Sequence, residues 1–161
     1  KFNNKKRLNN EIVGDIIIKS GNLKSIKASK NYYEKTTDEF PILFCIAALT
    51  NGTSVFKGIG DLANKESNRI KEMQKILGQI GVKSIATKND LKIYGKKFIN
   101  NKNKIIKVPN LGDHRICMSA VVMALVTGIK TNIKKFETVK TSSPNFLNLI
   151  KSLGAKFEIS K

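Results

Sequence analysis

The sequence predicts an α/β domain with helices buried inside and strands outside. Three observations predict it. Apolar residues alternate along the chain between helical and strand spacing. One plan of helix, strand, helix and strand occurs twice. The stretch 113–126 is apolar nearly all round, so that helix must be covered on most sides. With 161 residues and 40% hydrophobic content, the chain has enough apolar surface for a real core.

The opening residues are polar and basic, which reads as a frayed or edge segment. Ile16-Ile17-Ile18 reads as a buried strand, Gly21-Asn22 as a turn, and Leu23 to Ala28 as the start of another strand. The first full unit opens at Asp38 with a helical run through Phe40, Leu43, Phe44, Ala47 and Ala48, stopped by Asn51-Gly52. Thr53 to Phe56 follows as a strand. A second helix is expected from about Lys65 to Gln79, with Ile70, Met73, Leu77 and Ile80 on one stripe and Gly81 as a left-handed cap. A strand starts at Val82, Asp90 turns the chain, and Leu91 to Tyr94 forms a short strand closed by Gly95.

The second unit repeats this order. A helix runs from Asp113 to Val126 and stops at Gly128; Asn132 to Phe136 is a strand. Another helix begins near Pro144 and ends at Gly154, and Lys156 to Ile159 is a closing strand. The punctuation agrees: Asp38 and Gly52 are 14 apart, Asp113 and Gly128 are 15 apart. The expected organisation is a single domain, 1–161, truncated at its N-terminal side. Residues 1–36 are the tail of an incomplete repeat, 37–100 a second repeat and 101–161 a third. The missing initiator Met fits a fragment of a longer chain, and the first residues lack the apolar core of a signal peptide.

The net charge of +18 invites an anionic partner. The lysines are spread evenly, however, and aromatics make up only 7% of the residues, so a nucleic-acid-binding module lacks its stacking platform and any recognition motif. No apolar run reaches the ~18 residues of a membrane span. Cys45 and Cys117 are spaced neither for a metal nor for a redox pair, and each lies in an apolar helical run. They read as buried free thiols in a reducing compartment, the cytoplasm.

Polar clusters fall at the helix starts: Asp38-Glu39, Lys65-Glu66-Ser67-Asn68-Arg69, Asp113-His114-Arg115 and Lys140-Thr141-Ser142-Ser143-Pro144. Asp38, Asp113 and Ser143 suit N-caps, and Lys65, Glu66 and Arg69 suit a solvated face. Yet the helix dipole disfavours cations at an N-terminus, and Lys65, Arg69, Arg115 and Lys140 all sit there. A bound anion gives those four placements one reason.

These same clusters resemble motifs of the EPSP (5-enolpyruvylshikimate-3-phosphate) synthase family of enolpyruvyl transferases. Asp38-Glu39-Phe40-Pro41 is similar to its aspartate-bearing helix, and Lys65-Glu66-Ser67-Asn68-Arg69 to its Lys-Glu-Ser/Thr-Asp-Arg signature. Asp113-His114-Arg115-Ile116-Cys117-Met118 resembles its Asp-His-Arg box, and Thr138 to Phe146 its final lysine segment. Asn10 to Ile16 is a fainter echo of a Gly-Glu-Pro-Val-x-Asp stretch. The resemblance runs in order over nearly the whole chain and implies an enolpyruvyl transferase-type fold of βαβαββ repeats, here the C-terminal part of a two-domain enzyme.

It also implies a reaction, in which the enolpyruvyl group of phosphoenolpyruvate passes to the 5-hydroxyl of shikimate 3-phosphate with release of phosphate, a step of aromatic amino-acid biosynthesis. By resemblance Asp38 and Glu66 are the catalytic acid–base groups; Arg69, Arg115 and Lys140 bind phosphoenolpyruvate; Asp38, Lys65 and Asp61 bind phosphoshikimate; and His114 supports its neighbours. No metal or organic cofactor is implied. The implied partners are the two substrates and the N-terminal domain of the same enzyme, a monomer when whole, without which this chain should be inactive. Neither nucleic acid nor membrane is expected. The sister enzyme acting on a UDP-amino sugar is the nearest rival. Asn68 departs from the family's aspartate and is expected to loosen Arg69; Cys117 and Ile12 replace an alanine and a proline.

Overall fold

A computed structural model describes residues 1–159. A hairpin comes first, β1 (Phe2–Leu8) paired antiparallel with β2 (Glu11–Ile16). Two short helices, α1 (Lys30–Thr36) and α2 (Phe40–Ala48), then lie between β3 (Lys27–Ala28) and β4 (Gly52–Phe56). Next come α3 (Arg69–Gln79), β5 (Lys83–Ala86) and β6 (Leu91–Gly95). The chain continues through β7 (Ile105–Val108), α4 (His114–Thr127), β8 (Lys130–Ile133) and α5 (Phe146–Ser152). A four-stranded sheet has the order β3-β4-β6-β5, and β7 pairs with β8.

Two crossovers share a geometry. β3 and β4 are parallel, with Lys27 opposite Val55, and are joined through α1 and α2. β7 and β8 are parallel, with Ile105 opposite Lys130, and are joined through α4. Parallel neighbours need a crossover, and a helix provides it. In each crossover an aspartate stands where the chain enters the helix, Asp38 before α2 and Asp113 before α4.

The core lies between α2, α3 and α4 and the four-stranded sheet. Phe40, Phe44 and Phe56 meet edge to face, with ring centres 5.0–5.9 Å apart. Met73, Ile76 and Leu77 of α3, Leu91 and Ile93 of β6, and Ile116, Ala120 and Met123 of α4 are buried in the same cluster. The expected cap at Gly81 is present: φ is +81°, its N–H donates to Gly78 O, and Val82 N–H donates to Leu77 O, both at 2.9 Å. Gly95 is needed for a different reason. The end of β6 crosses the C-terminus of α2 so closely that a Cβ there would lie 2.1 Å from the carbonyl oxygens of Ala47 and Thr50.

Several expectations are corrected. The helix expected from Lys65 starts at Arg69, because Asn68 accepts a bond from Lys71 N–H and sets the boundary there. Ile16-Ile17-Ile18 is not a buried strand: β2 ends at Ile16, and all three side chains are exposed. Of the strand expected at 23–28, Lys27–Ala28 alone forms a ladder with β4 among the described residues, with Val55 N–H also donating to Ile26 O at 2.8 Å. α1 and β7 were not expected. The strand expected at 132–136 lies at Lys130–Ile133, and Phe136–Thr141 is a 3-10 turn. Residues 156–159 form no strand. The helix at 113–126 is exposed at Leu125 and Val126, so its cover is partial. Ser160 and Lys161, the end of the third expected repeat, lie outside the described residues.

Candidate active site

Arg69 is the centre of the site. It is the first residue of α3 and is 1% exposed, yet it carries a permanent charge. Burial of that charge requires compensation, and all three nitrogens of its fork find a carboxylate. Nε donates to Asp113 Oδ2 at 3.0 Å, Nη1 to Asp38 Oδ1 at 3.1 Å, and Nη2 to Glu66 Oε2 at 2.5 Å. Burial works against the charge of Arg69, but the bond and field of Asp113, then Asp38 and Glu66, raise its pKa above the ordinary value.

Asp113 is fully buried and immobilised from both sides. Its Oδ1 caps α4 by accepting from Arg115 N–H at 3.0 Å and Ile116 N–H at 3.3 Å. Its Oδ2 accepts from Arg69 and, at 2.8 Å, from Ser67 Oγ. The same aspartate thus fulfils the capping role and holds the arginine. Asp38 differs, because its side chain is half exposed. Arg115 forks onto it, Nη2 to Oδ2 at 3.0 Å and Nη1 to the backbone carbonyl at 3.2 Å. Burial would raise the pKa of Asp38, but the Arg69 hydrogen bond and the charges of Arg115, Arg69 and Lys65 outweigh it. They hold the carboxyl below the ordinary range.

The entries to α2, α3 and α4 therefore meet at one place, tied by side chains as much as 77 residues apart in sequence. A second cluster adjoins it. Lys65 Nζ lies 3.0 Å from Asp61 Oδ2, and that oxygen also accepts from Tyr33 Oη at 2.6 Å. The Tyr33 and Lys65 bonds hold Asp61 below the ordinary carboxylate range, and Asp61 raises Lys65. Beside Asp38 a cleft of about 140 Å³ opens between α2 and α4, lined by Asp38, Glu39, Ile42, Arg115, Met118 and Ser119.

Of the expected site residues, Asp38, Glu66, Arg69 and Arg115 form one network, and Asp61 and Lys65 form the cluster next to it. His114 is half-buried in the first turn of α4. Lys140 is exposed and joins no ion pair among the described residues. It lies on the turn Phe136–Thr141, whose Thr138 Oγ1 donates to Gly112 O at 3.2 Å, at the α4 end where the network sits. Asn68 does not loosen Arg69, since it turns to cap α3 while three carboxylates hold the guanidinium. Sequence reasoning missed Ser67 and Tyr33. Ser67 stood inside a cluster already singled out; Tyr33 lay on a helix without a periodic signal.

Known proteins resemble this chain over nearly its whole length. Residues 8–150 match the sequence pattern of EPSP synthase (3-phosphoshikimate 1-carboxyvinyltransferase). The 3-phosphoshikimate 1-carboxyvinyltransferase of Clostridium tetani is 36% identical over 151 residues, covering 94% of this chain and 34% of the relative. That of Zymomonas mobilis is 35% identical over 158 residues, covering 97% and 35%. The EPSP synthase structure from Acinetobacter baumannii superposes with a TM-score of 0.83 at 32% identity, over 100% of this chain and 37% of that one. The chain spans about a third of the length of the curated relatives it matches.

Proposed function

The chain belongs to the EPSP synthase family, and from that premise we propose that it supplies about half of an active site for enolpyruvyl transfer. The substrates are phosphoenolpyruvate and shikimate 3-phosphate, and the other half comes from an N-terminal domain of the same enzyme, acting as a monomer. One observation carries the reading: two guanidiniums suited to phosphate and carboxylate touch Asp38, and Arg69 also touches Glu66, at the edge of an open cleft. The cleft is smaller than the ~300–1,000 Å³ of a complete ligand pocket, which fits a site with a second wall.

In this reading Arg69, Arg115 and Lys140 hold phosphoenolpyruvate, while Lys65 and Asp61 contact phosphoshikimate. Asp38 takes the proton of the 5-hydroxyl as that oxygen bonds to the phosphate-bearing carbon, and Glu66 protonates the methylene to a methyl group. The methyl group then returns a proton, the carbon–oxygen bond to phosphate breaks, and inorganic phosphate leaves. Tyr33 positions Asp61, and His114 supports its neighbours in α4. The two buried free thiols suit the cytoplasm. No helix among the described residues is long and apolar enough to cross a membrane.

The test is a chimera in which this chain replaces the matching third of the Clostridium tetani relative. Phosphate release from phosphoenolpyruvate should depend on shikimate 3-phosphate and fall about 100-fold or more in Arg69→Ala or Arg115→Ala, as for loss of a transition-state donor. A folded chimera that releases phosphate only with a UDP-amino sugar would assign the site to the sister reaction.

A further inference from the structure

The arginine pair already holds an anion, and it belongs to the protein. Every nitrogen of the Arg69 fork is engaged by a carboxylate, and Arg115 is folded onto the carboxylate of Asp38. Three carboxylates against two guanidiniums leave the network with one net negative charge. An external phosphate or carboxylate finds every nitrogen of the Arg69 fork already taken, unless an internal carboxylate first releases its arginine.

The three carboxylates are not equally free to do so. Asp113 has no exposed surface and four hydrogen bonds, two of them capping α4. Glu66 pairs only with Arg69 among the described residues. Asp38 alone bridges both arginines, one carboxylate oxygen to each, and half of its side chain is in solvent. Its two oxygens therefore lie where the oxygens of a bound carboxylate or phosphate must lie to touch both guanidiniums together.

We infer that Asp38 is the resident counter-anion of the Arg69–Arg115 pair, and that an incoming phosphorylated carboxylate must displace it. The inference rests on the reading of these arginines as the anion grip, and adds an exchange to it. Displacement does two things at once: it opens the guanidiniums to the ligand and frees Asp38 from the cations that hold its proton affinity down. The group assigned to take a proton becomes a better base only when the anion is in place.

Binding of phosphoenolpyruvate, and separately of inorganic phosphate, to the chain tests this by NMR titration of backbone amides. Asp38→Asn should bind both anions about tenfold more tightly than the unsubstituted chain, the equivalent of one charge-assisted hydrogen bond of about 1.4 kcal/mol no longer in competition. Glu39→Gln is the control. Glu39 is exposed, lines the same cleft and pairs with no arginine among the described residues, so its removal changes only the general field and should shift affinity less than about twofold. In the unsubstituted chain, saturation with phosphoenolpyruvate should move the carboxyl carbon resonance of Asp38 and leave that of Asp113 in place, a reading independent of how the variant folds. Binding by the unsubstituted chain with no gain in Asp38→Asn, or an equal gain in Glu39→Gln, overturns the exchange and spares the anion grip. Absence of binding by all three chains overturns both.

Discussion

Replacing Asp113 should cost more than any other single change in the network. In Asp113→Asn the cap on α4 survives through Oδ1, but the atom facing Arg69 Nε and Ser67 Oγ becomes a donor. A buried guanidinium then loses the one fully buried counter-charge it has among the described residues. Removal of one partner from a buried ion pair costs about 3–5 kcal/mol, because the remaining charge is stranded. Asp113→Ala adds loss of the cap, about 1 kcal/mol more. For a domain of this length, ~3–5 kcal/mol corresponds to a fall in melting temperature on the order of 10 °C. Urea denaturation followed by circular dichroism measures it, with Arg69→Met and the double variant closing a cycle. The double variant should be less destabilised than the sum of the singles by at least about 2 kcal/mol, since removing both charges strands neither. Additive costs, or a cost below about 1 kcal/mol for Asp113→Asn, would show that Asp113 does not hold Arg69.

The same structure carries three further expectations. Gly95→Ala should destabilise by about 1–3 kcal/mol in urea, because the new methyl group collides with the Ala47 and Thr50 carbonyls and β6 must lift from α2. Cys45 and Cys117, whose thiols burial pushes up to about 12 and about 11, should resist a thiol-reactive disulfide at pH 8 in the native protein and react once urea unfolds it. Asp38 has a depressed pKa in the folded state, so its stabilising contribution is complete above the ordinary carboxylate value of about 4 and is lost as pH falls through the folded value. The urea midpoint of Asp38→Asn should accordingly fall less steeply than that of the unsubstituted chain between about pH 5 and pH 2.

Local order was legible wherever one short stretch carried its own signal. The stripe of Ile70, Met73 and Leu77 and the cap at Gly81 marked α3 to within a turn, and Asp113 and Gly128 bounded α4. The failures have physical causes. α1 has no buried residue, so no stripe marks it. β7 was marked by Ile106 and Val108, buried on either side of an exposed Lys107, but it is only four residues long and its meaning lies in parallel pairing with β8 across α4. Phe157 and Ile159 alternate as a strand should, yet no neighbour pairs with them among the described residues. For the site, the residue types and their helix-start positions could be read. Which carboxylate each arginine takes could not, because that choice spans 31 residues for Asp38–Arg69, 44 for Arg69–Asp113 and 77 for Asp38–Arg115.

Stability and anion binding make opposite demands on the same guanidinium. Buried Arg69 cannot be left without a counter-charge, while an anion grip needs at least part of its fork free. The structure separates the two demands by burial. Asp113, wholly enclosed and bonded on both oxygens, compensates the buried charge of Arg69 and ties α3 to α4, and its removal costs ~3–5 kcal/mol by stranding that charge. Asp38, half in water, is held less firmly, and its pair with the partly exposed Arg115 is of the kind worth about 0.2–1 kcal/mol. A ligand that takes over both Asp38 contacts therefore gives up little, whereas one that had to displace Asp113 would unfold the entry to α4. The difference in burial between two aspartates, each at the start of a crossover helix, is what allows one to anchor the site and the other to exchange.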